Sequence, residues 1–380
     1  MKIAIVHNFY RSNSPSGENN AVLAQIEVLS GAGHEVKLFA TSSDGLEKSW
    51  FFKVEIAARV GLHVKDGLGL AEAINDFSPD VVHIHNLFPI ISEQTLIGIS
   101  APKVATFHNF RSVCAGGTLS RKGGDCTSCL DHGTFEAIRH KCYRDSLIAT
   151  LPLALATRDR GRTRPIFDKV KVAVALSEYA RETIAQSFTG ELGVTVIPNF
   201  SSKSLYFTNS INSYWVYVGR LSKEKGIIEL LENWPRNEKL VIYGSGELES
   251  QVKDMSNQLP AVTYKGPLKH EDIHRELSKA TGLIFPSICR ENGPLIYLEA
   301  LAVGLPVVAF HANVVAESII ADKSGEVFET WAEIPEKLKV ITDSLSKYQR
   351  QALLASKTKY SSDAWLKKIE ACYLAAVESL

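Results

Sequence analysis

The chain has 380 residues, enough for two to three domains of ordinary size. Lys plus Arg number 42 and Asp plus Glu number 42, and 42 − 42 leaves no formal charge, which excludes a dedicated nucleic-acid binder. A hydrophobic content of 45% with 22% charged residues excludes a disordered chain.

The first segment, MKIAIVHNF, is too short an apolar stretch for a signal peptide and predicts a buried strand. Strands are then expected at 35–41, 80–86, 103–108, 171–177 and 194–198, all near-continuously apolar, as strands covered on both faces should be. Helical segments separate them, the first with Val22, Leu23, Ile26 and Leu29 on one face. The polar stretch PNFSSKSLYFTNSINS (198–213) marks a seam. A second series of strands follows at 214–220, 239–245, 261–266, 282–287 and 306–310. Alternation of this kind predicts doubly wound α/β architecture with parallel sheets. The apolar stretch 146–157 is well short of the ~20 residues that cross a bilayer, and six cysteines are too few for a secreted disulfide scaffold. The expected location is the cytoplasm.

Ligands of open α/β sheets sit at the carboxyl ends of strands against helix N-termini. At such a place Gly219-Arg220 precedes LSKEKG, and Arg220 with Lys225 forms either a diphosphate clamp or an ordinary solvated strand end. The GSGE turn at 244–247 lets backbone approach a ligand closely at Gly244, although such turns are also common connectors. In PSICRENGPLIYLEALAVGLPVVAF (286–310), Glu291 lies on a loop and Glu299 eight residues later, which on a helix is about 12 Å of rise. One carboxylate would hold sugar hydroxyls and the other ribose hydroxyls, with Pro294 at the first helical turn between them. The alternative is a loop residue and a surface helix residue, but Leu298, Ala300 and Leu301 flank Glu299 and argue against simple solvation.

Glu-x7-Glu followed by ALAVGLPVVA, together with GRLSKEKG, ALSEYARE (175–182) and IPNF (197–200), resembles the retaining GT-B glycosyltransferases of family 4 (group 1) type, over almost the whole chain. The resemblance implies two Rossmann-like domains facing across a cleft. An acceptor domain would span 1–198 with a Cys-rich loop at 108–145, and a donor domain 199–361. The helix 362–380 would pack back on the first. It implies that Arg220 and Lys225 bind the donor diphosphate, that Glu291 contacts the transferred sugar and that Glu299 contacts the ribose. It also implies that His108 lies near the donor sugar and that the Gly17 amide faces the donor phosphate or the acceptor. Gly219, Gly293, Leu295 and Gly244 complete the implied donor-binding set. The reaction needs no catalytic cofactor or divalent metal in similar enzymes. It would take a UDP- or GDP-sugar and a saccharide or lipid-linked acceptor, in surface polysaccharide or glycolipid synthesis. Two departures are visible. Glu291-Asn292-Gly293-Pro294 lacks the usual aromatic and removes one N–H, leaving Gly293 or Leu295 to substitute, and Ser16-Gly17 replaces two adjacent glycines. A nucleotide-sugar epimerase or a non-catalytic partner subunit are the alternatives. An NAD enzyme is disfavoured because no G-x-G-x-x-G follows the first strand.

Cys114, Cys126, Cys129 and Cys142 have the spacing of a structural zinc site, with His132 and His140 as substitute ligands. An iron–sulfur cluster, reduced thiols or a conditional disulfide are the other readings, and Cys289 and Cys372 read as packing residues. Residues 139–171 carry nine Lys/Arg against three Asp, a local +6 beside the apolar 146–157. This is either a solvated face or a strip for peripheral contact with the inner face of an anionic membrane or with a lipid-diphosphate acceptor. His83 and His85 are either acceptor-cleft residues or strand-end polars.

Overall fold

The computed structural model describes residues 1–11, 16–44, 50–121, 124–162, 164–201 and 214–379. Most of the seam predicted at 198–213 lies outside them. The chain forms two compact units, one of Met1–Leu119, Cys126–Pro198 and Trp365–Leu380, the other of Ser120–Asp125 and Asn199–Ala364.

The first unit is built on a parallel sheet of β1 (Lys2–Phe9), β2 (Glu35–Ser42), β3 (Val81–Ile84), β4 (Lys103–Phe107), β7 (Val172–Ala175) and β8 (Val194–Val196), in the order β2-β1-β3-β4-β7-β8. The inner strands are buried along their length, because helices cover both faces. The two edge strands depart from the expected uniform burial: β2 buries only Phe39 among exposed and half-buried residues, and β8 is half-buried throughout. Edge position explains both. Between β4 and β7, the segment expected as an irregular loop contains short helices at Ser128–His132 and Phe135–Arg139. It also contains a two-stranded hairpin, β5 (Ser120–Arg121) with β6 (Gly124–Asp125), which belongs to the second unit, where Asp125 Oδ2 accepts from Arg290 Nε at 2.5 Å.

The second sheet contains β9 (Trp215–Val218), β10 (Leu240–Tyr243), β11 (Val262–Tyr264), β12 (Gly282–Phe285), β13 (Val307–Phe310) and β14 (Gly325–Phe328), all parallel, in the order β11-β10-β9-β12-β13-β14. This is the doubly wound 3-2-1-4-5-6 order, whose direction reverses between β9 and β12. Such a switch point leaves a crevice at the strands' carboxyl ends. The sequence reading misses β14, since GEVF is half-buried and carries Glu326 in its middle.

The last helix, Ser362–Glu378, buries Trp365, Ile369, Tyr373 and Ala376, one stripe at helical spacing. Tyr373 Oη lies 2.7 Å from Nδ1 of the fully buried His83, whose Nε2 lies 2.8 Å from Thr106 Oγ1. Tyr373→Phe should destabilise the protein by about 1–2 kcal/mol, measured by denaturant unfolding, because it leaves a buried ring nitrogen without its partner. Among the described residues, no helix is long and apolar enough to cross a membrane.

Candidate functional site

The carboxyl ends of β9 and β12 carry most of the residues singled out by the sequence. After β9, the Tyr217 hydroxyl donates to the Arg220 carbonyl at 2.8 Å, fixing the backbone while the Arg220 side chain is exposed. Lys223–Lys225 form one 3-10 turn, and Gly226 at φ +65° turns the chain into helix Ile227–Glu232. A Cβ on Gly226 would lie 2.2 Å from the Pro286 carbonyl oxygen, so glycine is what lets this turn close on the end of β12. The Ile288 N–H donates to the Glu224 carbonyl at 3.1 Å and holds the two loops together. Lys225 Nζ then meets Glu291 Oε2 at 2.5 Å, while Ser287 donates to the other carboxylate oxygen. Arg220 and Lys225 are therefore not equivalent: one faces solvent and the other is paired and only 21% exposed.

Glu299 sits in helix Leu295–Ala302 and is buried. The helix begins only at Leu295, after Gly293 at φ +65° and Pro294 as N-cap. The expected 12 Å of helical rise between the two glutamates is thus wrong, since the four steps of helix from Leu295 to Glu299 give about 6 Å. The loss of the Pro294 N–H costs no helical hydrogen bond at that position. Asn199, from IPNF, donates Nδ2 to the Gly293 carbonyl at 3.0 Å, and its own Oδ1 is buried without a partner among the described residues. The sequence reading quotes this motif without seeing that Asn199 shapes the glutamate loop. Burial raises the Glu299 carboxyl from 4.5 to about 7, and His270 Nδ1 lies 3.5 Å from Oε1. The unfolded chain ionises near pH 4.5 while the folded chain keeps its proton, so this group costs stability as pH rises from about 4.5 to 7. Comparing wild type with Glu299→Gln by denaturation at pH 4 and pH 8 should show the wild type losing about 3 kcal/mol relative to the variant.

Gly244 approaches protein rather than open space. A Cβ there would lie 2.0 Å from the Gly219 carbonyl oxygen, and Leu221 N–H donates to the Ser245 carbonyl at 2.9 Å. The Gly-x-Gly turn therefore lets the ends of β9 and β10 pack, which accounts for the glycine without a ligand.

In the first unit the switch lies between β1 and β3, and a second group of polar residues gathers there. Gly17 opens helix Gly17–Gly31, capped by Ser16, which accepts from the Asn19 N–H at 3.4 Å. Asn109 Nδ2 donates to Glu18 Oε2 at 3.2 Å, which brings Gly17 and His108, their chain neighbours, to one place. His108 Nε2 lies 2.9 Å from His85 Nδ1, and His85 packs on His83 with ring centroids 4.1 Å apart. Burial holds His83 and His108 down to about 3 and His7 to about 4, and pushes His85 well below its ordinary value. The cluster is neutral at pH 7. The same effect raises Glu18 to about 7. His85, His108, Glu18, Asn109 and Arg111 line a small cavity of about 70 Å³, into which sequence reasoning placed only His108, with His85 left open.

Comparison with known proteins identifies the family and the fold. The profile for glycosyltransferase family 4 matches residues 15–201, and that for glycosyl transferases group 1 matches residues 208–355. The chain belongs to the group 1/family 4 glycosyltransferases of GT-B fold. An uncharacterized glycosyltransferase of Methanocaldococcus jannaschii is 31% identical over 118 residues, 29% of this chain and 30% of that protein, so the match spans under a third of that relative. The phosphatidyl-myo-inositol mannosyltransferase of Propionibacterium freudenreichii is 24% identical over 368 residues, 87% of this chain and 82% of that protein. The crystal structure of Anabaena HepE in complex with UDP superposes with a TM-score of 0.63 at 15% identity, over 99% of this chain and 100% of that one.

The expected structural zinc at Cys114, Cys126, Cys129 and Cys142 is not supported. Among the described residues no group of three or more His, Cys, Asp or Glu is arranged to hold a metal ion. The four thiols do come near one another, and burial, then Cys114, Cys142 and Cys126, push the Cys129 thiol up to about 12. Cys129 and Cys142 pack on Ala115, Ala137, Leu153 and Ala154, and Cys114 packs against the core of the first unit. His140 pairs with Glu136 at 3.1 Å.

Proposed function

We propose that the protein is a retaining glycosyltransferase that moves a hexose from a UDP- or GDP-sugar to a saccharide or lipid-linked acceptor, in synthesis of a surface polysaccharide or glycolipid. The donor lies in the second unit. Arg220 and Lys225 face its diphosphate, Glu291 the transferred sugar, Glu299 the ribose, and the Gly293 and Leu295 backbone a phosphate oxygen. The observation that carries this reading is the pairing of Lys225 with Glu291 at 2.5 Å at the β9/β12 switch point, with buried Glu299 on the helix that follows. A cation and a carboxylate held together there suit a diphosphate joined to a polyhydroxyl sugar.

In the reaction the bond from the anomeric carbon to the diphosphate oxygen breaks with its electron pair going to the diphosphate. The acceptor oxygen bonds to the same face of that carbon, and its proton passes to the departing diphosphate. Charge builds on the leaving group, so the fixed cations Arg220 and Lys225 supply the main electrostatic help, the part a divalent metal plays elsewhere. In the first unit, neutral His108 accepts or donates a hydrogen bond at the sugar without adding charge, and Gly17 offers a backbone N–H. Enzyme action takes place in the cytoplasm, with the basic strip 139–171 against the inner face of the membrane. The UDP complex of the HepE neighbour supports UDP among the bases.

The test incubates the protein with UDP-, GDP- and ADP-sugars and a membrane lipid extract in EDTA, following nucleotide release and the product's anomeric proton by NMR. Transfer with an unchanged anomeric configuration is expected. An inverted configuration would remove the retaining assignment, and a converted donor with no acceptor product would make the protein an epimerase.

A further inference from the structure

Helices Trp50–Leu62 and Leu147–Ala156 pack closely in the first unit: a Cβ on Gly61 would lie 3.1 Å from the Pro152 backbone. Beside them runs a groove of about 720 Å³ with walls of Ile56, Val60, Phe88, Ile148, Ala149 and Leu153. This is the size of a ligand site. Its lining is apolar where solvent would favour polar residues, with Ile148 86% exposed. Arg11 and Arg144 line the groove, and Val60 and Phe88 are shared with the polar cavity that holds Glu18, His85 and His108. At that junction the Arg111 guanidinium lies 4.4 Å above the Phe88 ring and 5.5 Å from the Tyr143 ring. Its Nε and Nη1 are buried and have no hydrogen-bond partner among the described residues. A guanidinium with two buried, unpartnered nitrogens is a site for an anion.

We infer that this groove holds the hydrocarbon chain of a lipid-phosphate acceptor, with Arg111 binding a phosphate oxygen where the groove meets the polar cavity. The inference rests on the glycosyltransferase reading and narrows its acceptor to the lipid-linked class. An apolar trough alone would suit any greasy partner, but an unsatisfied guanidinium at its inner end and arginines along it match a chain that ends in phosphate. The same arrangement directs the acceptor's head toward His85 and His108.

The test uses geranylgeranyl diphosphate below its micelle concentration, with geranylgeraniol, inorganic pyrophosphate and phosphatidylglycerol/phosphatidylcholine vesicles as separate arms. Saturable one-to-one binding of the diphosphate lipid is expected, with pyrophosphate much weaker. Arg111→Gln should weaken the diphosphate lipid about tenfold and leave the alcohol unchanged, the scale of one charge-assisted contact. Ala149→Trp, which fills the groove, and Ile148→Asp, whose exposed position cannot unfold the protein, should each weaken both lipids about tenfold or more. Binding of pyrophosphate as tight as the lipid, indifference to the groove variants, or association with vesicles alone would overturn the inference, the last in favour of a membrane-docking face. Nucleotide-sugar binding by the wild type is measured in parallel. Its absence would sink the enzyme reading while leaving the lipid result to stand.

Discussion

Lys225→Ala should lower kcat/KM by about 10²- to 10³-fold, the loss expected when one preorganised cation facing a developing diphosphate charge is removed. Lys225 is paired to Glu291 and mostly buried, so its removal also strands a half-desolvated carboxylate, and the melting temperature should fall with activity. Arg220→Ala should lose activity on the same scale without loss of stability, because that side chain is exposed. Steady-state kinetics beside thermal unfolding separate the two. If Arg220→Ala retains full turnover, the clamp consists of Lys225 alone. If Lys225→Ala does, there is no clamp.

Gly226→Ala should be among the most destabilising single-methyl additions in the chain. The residue is at φ +65°, and its Cβ would lie 2.2 Å from the Pro286 carbonyl oxygen, a backbone atom that cannot move without shifting the end of β12. Left-handed strain and overpacking together give about 2–4 kcal/mol, or roughly 5–10 °C in melting temperature for a unit of this size. The displaced loop carries Ser287 and Glu291, so donor affinity should fall too. Gly33→Ala is the control: it shares the positive φ but has open space where its Cβ would go, and should cost less. Equal melting temperatures for the two variants would show that the KEKG turn is not packed as described.

The two sheets are legible from sequence because strands buried on both faces, such as β1 and β12, read as unbroken apolar runs. β14 is not, because an edge strand with Glu326 at its centre has the polarity of a loop. The candidate donor residues are legible because charged groups at strand ends stand out against apolar surroundings. Their mutual geometry is not: nothing in Glu-x7-Glu says that the helix starts at Leu295, or that Lys225 pairs with the first glutamate. The first unit is harder still. His7, His83, His85 and His108 come from three strand ends and converge only because the strand order is β2-β1-β3-β4, a fact of tertiary topology. The cysteines show the converse: their spacing resembles a metal site, but no metal-holding group is found among the described residues, and Cys129 and Cys142 pack among alanines and Leu153.

The central claim, that a nucleotide sugar binds at the β9/β12 switch point, is tested most directly by calorimetric titration of UDP- and GDP-sugars in EDTA into wild type, Arg220→Ala and Glu299→Ala. One site per chain is expected in the wild type, with at least about tenfold weaker binding in each variant. No binding by any nucleotide sugar, or equal affinity in all three proteins, would contradict it.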